Sequence, residues 1–184
     1  SELKKMRALL QKTIDAGAIG LSTGLIYPPG IYSDTDELVS LAKSLSKDRL
    51  IYTSHMRSEG KGLIESIKEI IRIGKEANIK VHISHIKTSG KENWHKIDEA
   101  ISLINSARKR GIKVTCDRYP YTASSTDLDT ILPSWTYEGG AEKELRRLTS
   151  PSVQEKIKKE ILHGHLDNDY WTKVSVSSVS SQKN

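Results

Sequence analysis

Two histidines with similar surroundings are the residues of this 184-residue sequence whose pattern best suits metal binding. His55 lies in the phrase Ile51–Arg57 and His85 in the phrase Val81–Lys87. In each phrase an apolar run ends in serine and histidine, and a cation follows two residues later. Neutral imidazoles are ligands for zinc and similar metals. The repetition gives a shared metal site equal standing with the alternative, two unrelated histidines that cap their strands.

The apolar pattern predicts that these two histidines end neighbouring strands. Residues 50–54 and 80–84 are typical of buried strands, and residues 63–77 place isoleucines at helical spacing between them. Parallel strands joined by a helix have their C-terminal ends side by side. Strand alternation places His55 on the face of Thr53, and His85 on the face of Ile83. We therefore expect both imidazoles at one mouth.

The same strand-helix unit recurs along the chain. The apolar starts of four predicted strands, at residues 19, 51, 81 and 114, lie 32, 30 and 33 residues apart. Such a repeat indicates parallel strands, in either an open doubly wound sheet or a closed barrel. Gly20 and Gly24 lack the third glycine of a phosphate-binding fingerprint. Because a full barrel needs about 250 residues, we predict an α/β fold in which parallel (β/α) units form about half of a TIM-type (β/α)8 barrel.

The bounds of the other elements follow from the same periodicity. Strands are predicted over residues 18–22 and 113–117, and helices over 2–16, from Asp34 or Thr35 onward, before Gly111, and over 151–163. Residues 172–181 alternate and predict either an edge strand or a tail. The chain begins inside a helical pattern and ends in that alternation, so we expect a single domain over 1–184 that is a piece of a longer protein.

Composition restricts the function classes. Lysine and arginine number 29 against 23 acidic residues, but the excess is scattered, so we expect no nucleic-acid partner. No apolar run reaches the roughly 20 residues that span a bilayer, so no membrane partner is expected. The single cysteine, Cys116, excludes an internal disulfide and fits a cytoplasmic location. We expect its thiol to be buried and inert.

Four motifs follow one another in a fixed order: Gly20–Gly30, Ser54–Gly60, Ile83–Lys87 with Asn93 and Trp94 behind it, and Tyr119–Thr126. Together they resemble the central part of the N-acyl-D-amino-acid deacylases, or D-aminoacylases, of the amidohydrolase superfamily. The resemblance covers residues 15–135 strongly and residues 136–184, a helix and a tail, weakly. It implies a metal-dependent hydrolase on an eightfold α/β barrel.

The resemblance also implies roles for five residues. In enzymes similar to this one, the histidines that end the fifth and sixth strands bind zinc, and they match His55 and His85. A lysine two residues beyond the second histidine holds the substrate carboxylate, which matches Lys87. A tyrosine and a serine after the seventh strand assist that lysine, and they match Tyr119 and Ser125.

Other parts of the family site have no match in this sequence. The family uses a His-x-His pair on its first strand, an upstream cysteine ligand, and an aspartate on its last strand that serves as ligand and proton shuttle. Cys116 lies on the predicted seventh strand, and His163 and His165 follow every other motif, so none of them fits. The catalytic residue is therefore unknown.

Two histidines are too few for a catalytic zinc site, which usually has three protein ligands and a water. We expect a fragment that is inactive alone, with zinc bound incompletely or not at all, from a parent that hydrolyses the amide of N-acyl-D-amino acids. One alternative is an amidohydrolase of cyclic amides, similar to hydantoinases and dihydropyrimidinases. Another is a non-catalytic basic binding module. Unpaired sheet edges also predict self-association.

Overall fold

The computed structural model describes residues 1–48, 50–164 and 170–177. The chain divides into two compact units, Ser1–Ser124 and Ser125–Asn184, and each is described by itself. The expectation of a single domain over 1–184 stays a prediction.

The first unit is built on a four-stranded parallel sheet whose strands follow chain order. The strands are β1 Gly20–Gly24, β2 Ile51–His55, β3 Lys80–Ile83 and β4 Val114–Cys116. The helices are α1 Glu2–Asp15, α2 Thr35–Ala42, α3 Leu63–Ala77 and α4 Ile97–Lys109. Parallel strands in sequential order with helical crossovers confirm the predicted fold class, about half of a TIM-type barrel.

Helix α3 shows why the sequence forms these elements. Its isoleucines recur on one face, and Ile67, Ile70 and Ile73 are completely buried against the sheet. Asn78 ends the helix in the left-handed conformation, with φ 53° and ψ 49°, which asparagine tolerates better than most residues. Both bounds of α3 are those predicted. Each fully buried isoleucine contributes about 1.5–3 kcal/mol of transfer free energy.

Strand β1 begins two residues later than predicted. Ile19, the predicted apolar start of this strand, is 80% exposed, and the strand instead begins at Gly20. Gly20 pairs with Ile51, and a Cβ at this position would lie 2.2 Å from the Ile51 carbonyl oxygen. The close approach of β2 therefore requires glycine here, a constraint that hydrophobicity does not reveal.

Cys116 is exposed, so the expectation of a buried thiol was wrong. It lies in β4, a three-residue strand of which only Val114 is buried. Its register partner on β3 is Ile83, which is completely buried. Burial therefore decreases from β3 to β4, which is the last strand of this sheet.

The second unit is helical in its described part. It contains α5 Ala141–Leu148, which the sequence analysis missed, and α6 Pro151–Gly164, which it predicted. The Tyr137 hydroxyl hydrogen-bonds the carbonyls of Asp129 and Leu132 and so closes the segment before α5. Residues 174–177 form no strand, and residues 178–181 of the predicted alternation lie outside the described residues.

Within the ranges that the structure describes, no helix combines the length and apolar character needed to cross a membrane.

Tyr52 joins β1 and β2 through a buried hydrogen-bond chain. The Tyr52 side chain is fully buried, and its hydroxyl lies 2.7 Å from Thr23 Oγ1. Thr23 Oγ1 in turn donates to Ser54 Oγ at 3.0 Å, so Tyr52 is the donor of the first bond. Burial raises the pKa of the Tyr52 phenol, against the smaller lowering effect of its hydrogen bonds. The folded chain therefore holds this phenol neutral to higher pH than the unfolded chain does.

We expect Tyr52→Phe to lower the free energy of unfolding by about 1 kcal/mol at pH 7, because one buried hydrogen bond is lost. Above pH 10 Tyr52 ionises in the unfolded wild-type chain before it does in the folded chain, which lowers the free energy of unfolding. Phenylalanine at position 52 cannot ionise, so the variant lacks this loss. The difference between the variants should therefore shrink as the pH rises through 10. Urea unfolding at pH 7 and pH 10.5 measures both values. Tyr32→Phe, at an exposed position, is the control, and a pH-independent difference for Tyr52→Phe would contradict the expectation.

Candidate metal centre

His55 and His85 lie at the C-terminal edge of the sheet. His55 is the last residue of β2, and β3 ends at Ile83, two residues before His85. Ser54 pairs with Ile83, and the Ser84 N–H donates to the Ser54 carbonyl, so the two strands end at the same level. The structure therefore brings together the two histidines that the repeated phrase predicted to be neighbours.

Strand alternation, from which we predicted that His55 and His85 share one face, does not explain why the two imidazoles are close together. Register places His82 beside Thr53, which puts His82 on the face that His55 occupies. Regular extension of β3 would then place His85 on the opposite face, with Ile83, which is buried. The prediction of a common mouth was right, and its geometric reason was wrong.

A left-handed turn at His85 brings its imidazole to the His55 side. His85 has φ 42°, a conformation that few non-glycine residues adopt. Its backbone N–H donates to Asp117 Oδ1, and the Ile86 N–H donates to the Asp117 carbonyl at 3.0 Å. Asp117, directly after β4, therefore holds the turn through both its side chain and its main chain.

The two imidazoles face each other through specific nitrogens. His55 Nδ1 lies 3.0 Å from His85 Nε2. Two nitrogens bound to one tetrahedral zinc at about 2.0–2.1 Å each lie about 3.3 Å apart, so a small separation of the rings accommodates the ion. His55 Nε2 is buried and has no hydrogen-bond partner among the described residues. The donor set fits a nitrogen-binding metal such as zinc.

Glu59 is the third member of the cluster, and the sequence analysis missed it. His55, Glu59 and His85 each offer one possible ligand atom, and these atoms lie within 4.8 Å of one another. Glu59 Oε1 is 2.9 Å from His85 Nδ1 and 2.5 Å from Lys87 Nζ. The available signal was a carboxylate in the strand-end loop, four residues after His55 and immediately before Gly60.

Lys87 lies beside His85 rather than in solvent. Its side chain is 12% exposed and pairs with Glu59, whose side chain is 13% exposed. The ammonium also lies 2.9 Å from His85 Nδ1 and 5.3 Å from the centre of the Tyr119 ring. The structure therefore brings together His55, His85, Lys87 and Tyr119.

Ser125 is exposed and is the first residue of the second unit, whereas Tyr119 belongs to the first. Tyr121, to which no role was assigned, is 70% exposed, and its ring centre lies 6.2 Å from that of Tyr119. The predicted role of Ser125 stays a prediction.

Burial keeps His55 in the form that binds metals. Desolvation is the largest cause that lowers the His55 pKa, and the nearby His85 and Lys87 lower it further, whereas Glu59 opposes the shift. An imidazole with a pKa below 6.5 is neutral at pH 7 and has a lone pair for a cation. The Asp117 pKa is also lowered, chiefly by the His85 backbone N–H.

Arg57, the cation of the first phrase, supports the loop beside the site. Its guanidinium pairs with Glu69 of α3 at 3.0 Å and donates to the carbonyls of Ile31 and Ser33. That loop includes Tyr27, whose ring centre lies 5.1 Å from that of His55. The two phrases therefore end in cations with different tasks: Arg57 fixes a loop, and Lys87 lies at the cluster.

The chain is similar to two deacylases of Alcaligenes xylosoxydans xylosoxydans. A D-aminoacylase is 40% identical over 127 residues, which are 69% of this chain and 26% of the relative. An N-acyl-D-glutamate deacylase is 35% identical over 127 residues, which are again 69% of this chain and 26% of the relative. The chain thus spans about a quarter of the length of the curated relatives it matches. No protein-family model matches it.

Solved structures of the same kind share its fold. A D-aminoacylase described as defining a novel subset of amidohydrolases matches with a TM-score of 0.64 and 37% identity, over 67% of this chain and 26% of that one. An N-acyl-D-glutamate deacylase from Bordetella bronchiseptica matches with a TM-score of 0.64 and 36% identity, over 65% of this chain and 25% of that one. The latter structure contains zinc and a phosphonate inhibitor that mimics the tetrahedral intermediate.

Parallel β/α units with histidines at the strand ends, together with these matches, place the chain among the amidohydrolases. Within that class, the relatives it matches are N-acyl-D-amino-acid deacylases, and the chain corresponds to about a quarter of their length.

Proposed function

We propose that this chain is the metal-binding part of a longer hydrolase that cleaves the amide bond of N-acyl-D-amino acids. The observation that supports this most is the 3.0 Å approach of His55 Nδ1 to His85 Nε2 at the strand ends, in a chain 40% identical over 127 residues to a D-aminoacylase. The metal is proposed to be zinc, since two imidazoles suit that borderline ion.

His55 and His85 would hold the ion through the two nitrogens that face each other. A bound zinc supplies a Lewis acid for the amide carbonyl and lowers the pKa of water. Burial of His55 keeps its imidazole neutral, so the ion does not have to displace a proton from a charged ring at pH 7. The left-handed turn at His85 keeps the second imidazole on the same side of the sheet.

Lys87 is proposed to bind the carboxylate of the substrate, with Tyr119 and Ser125 assisting. The Lys87 ammonium lies in the same cluster as His85, so a carboxylate there would be close to the metal-binding nitrogens. Glu59 already compensates the Lys87 charge. A substrate carboxylate therefore needs further donors, and the Tyr119 hydroxyl is the proposed one in the same unit.

The chain by itself is proposed to be catalytically incomplete. Its sequence contains no match to the first-strand His-x-His pair or to the last-strand aspartate of the family, and the catalytic residue stays unknown. His163 lies exposed in the last turn of α6, and His165 lies outside the described residues. Neither is proposed as a ligand.

The alternative functions have less support. An amidohydrolase of cyclic amides would keep the metal-binding histidines but would not need a carboxylate anchor, and the relatives at 35–40% identity are deacylases. The basic binding module stays an untested alternative. The cytoplasmic location and the lack of a nucleic-acid partner also stay predictions.

We expect the chain to bind zinc weakly through the two histidines. His55→Asn or His85→Asn should lower the affinity for zinc by more than about 100-fold, because a direct ligand matters more than the outer partners that typically account for 10- to 100-fold. Competition with a fluorescent zinc chelator measures this. The exposed His95→Asn should bind as the wild type does. Unchanged affinity in His55→Asn would contradict the assignment, and deacylase activity of the chain alone would contradict its incompleteness.

A chimera tests the substrate class. Residues 15–135 replace the matching segment of the Alcaligenes D-aminoacylase, and the chimera should hydrolyse N-acyl-D-amino acids in preference to N-acyl-L-amino acids and dihydrouracil. Lys87→Ala in the chimera should raise KM about tenfold or more, because a charged hydrogen bond contributes about 1.5–3 kcal/mol. The exposed Lys91→Ala is the matched control.

Zinc content and circular dichroism establish that the chimera is folded. A folded, zinc-loaded chimera that prefers dihydrouracil would favour the cyclic-amide alternative. Equal KM values for Lys87→Ala and Lys91→Ala would remove Lys87 from the proposed substrate site.

Self-association is proposed because β1 and β4 are the two edges of the described sheet. The outer backbone groups of such strands are free to pair with another strand. Sedimentation velocity of the chain at increasing concentration should show dimers or larger species. A single monomeric species over the whole concentration range would count against this proposal.

A further inference from the structure

The Glu59 carboxylate lies between the side chains of His85 and Lys87. No sequence pattern predicted this position. The loop that carries Glu59 is held by a hydrogen bond from the Ser89 N–H to the Glu59 carbonyl at 2.7 Å. A Cβ at the following residue, Gly60, would lie 3.1 Å from the Ser89 carbonyl oxygen. The nearly buried carboxylate therefore sits on a closely packed backbone, with Oε1 against both His85 Nδ1 and Lys87 Nζ.

His85 Nδ1 has two neighbours that require opposite hydrogen positions. Glu59 Oε1 and Lys87 Nζ each lie 2.9 Å from it. An ionised carboxylate only accepts hydrogen bonds, and an ammonium only donates them. If Nδ1 carries the hydrogen, His85 donates to Glu59; if Nε2 carries it, Nδ1 accepts from Lys87. The two neutral tautomers of His85 are therefore exclusive alternatives.

The contact with His55 favours the tautomer with hydrogen on Nδ1. Without a metal, that state has His85 Nε2 accepting from His55 Nδ1–H, and the buried, unpartnered His55 Nε2 is a bare acceptor to which this hydrogen would move if Nδ1 held a metal. In the other state His85 donates to His55 Nδ1, and His55 Nε2 carries an unpartnered buried N–H. Buried N–H groups without a partner are rarer than under-satisfied acceptors. Lys87 keeps its ion pair with Glu59 in either state.

We infer that Glu59 is a positioning residue that accepts a hydrogen bond from His85 Nδ1–H, so that the Nε2 lone pair points toward the metal position, while the same carboxylate oxygen holds the Lys87 ammonium. The metal-presenting role of this hydrogen bond rests on the proposed function. The hydrogen bond itself is present without a metal, so the two are separable by experiment. A carboxylate that orients a metal-binding imidazole usually strengthens metal affinity 10- to 100-fold.

The test uses the whole chain with 15N-labelled histidine, freed of metal by a chelator, at pH 8. Long-range 1H–15N spectra report which ring nitrogen of His85 carries the hydrogen, and the His85→Gln spectrum assigns the signals. We expect hydrogen on Nδ1 in the wild type and in Lys87→Met, and a shift toward Nε2 in Glu59→Gln. Zinc titration should show affinity about 10- to 100-fold weaker in Glu59→Gln.

Glu65→Gln is the matched control, because Glu65 is exposed on α3 and its carboxylate pairs with Lys68. It should change neither the tautomer nor the zinc affinity. Circular dichroism shows whether Glu59→Gln folds, and the wild-type and Lys87→Met tautomers test the inference if it does not.

Three results would overturn the inference. The first is hydrogen on Nε2 in the wild type, which would make Lys87 the partner of Nδ1. The second is an unchanged tautomer in folded Glu59→Gln. The third is a loss of zinc affinity without any tautomer change, which would make Glu59 a direct ligand. If the His85 tautomer shifts in Glu59→Gln but zinc binding does not depend on His55 or His85, the proposed function is contradicted. The hydrogen bond from His85 to Glu59 is then still supported.

Discussion

The parallel register of β2 and β3 is the constraint on which the candidate site depends. Because Ser54 pairs with Ile83, both strands end at one level, and their following loops emerge at the same edge. The register is fixed by burial of Tyr52 and Val81 toward the helices, since shifting either strand by one residue would turn its own buried side chain to the opposite face. Helix α3 connects the two strands. The level edge brings the loops that carry the candidate site together.

The edge alone does not place the second imidazole. Regular alternation carries His85 toward the helix layer, and the turn with φ 42° returns it to the side of His55. Such a conformation costs on the order of 1 kcal/mol or more for a residue with a side chain. The hydrogen bonds from His85 and Ile86 to Asp117 offset that cost. The loop after β4 therefore shapes the turn at His85 through Asp117.

The charges at the mouth are arranged so that none is buried alone. Lys87 and Glu59 are both nearly buried, and each would be costly without the other. Desolvation, with smaller contributions from His85 and Lys87, lowers the His55 pKa more than Glu59 raises it, so this imidazole stays neutral beside the ion pair. The pair of imidazoles thus lies beside a compensated ion pair. This combination suits a site that must accept both a metal and a carboxylate, the function proposed for the longer protein.

The sequence alone determined the class of fold, the order of the strands, the family resemblance and the two histidines that follow neighbouring strands. Those features depend on local periodicity and on short motifs, which are written directly in the chain. The start of β1, the exposure of Cys116 and the turn at His85 depended on contacts with neighbouring strands. Glu59 was missed because a single carboxylate in a loop has no periodic pattern in the sequence. Only the tertiary structure, which joins residues 59, 85 and 87 through packing of separate loops, gives it two partners.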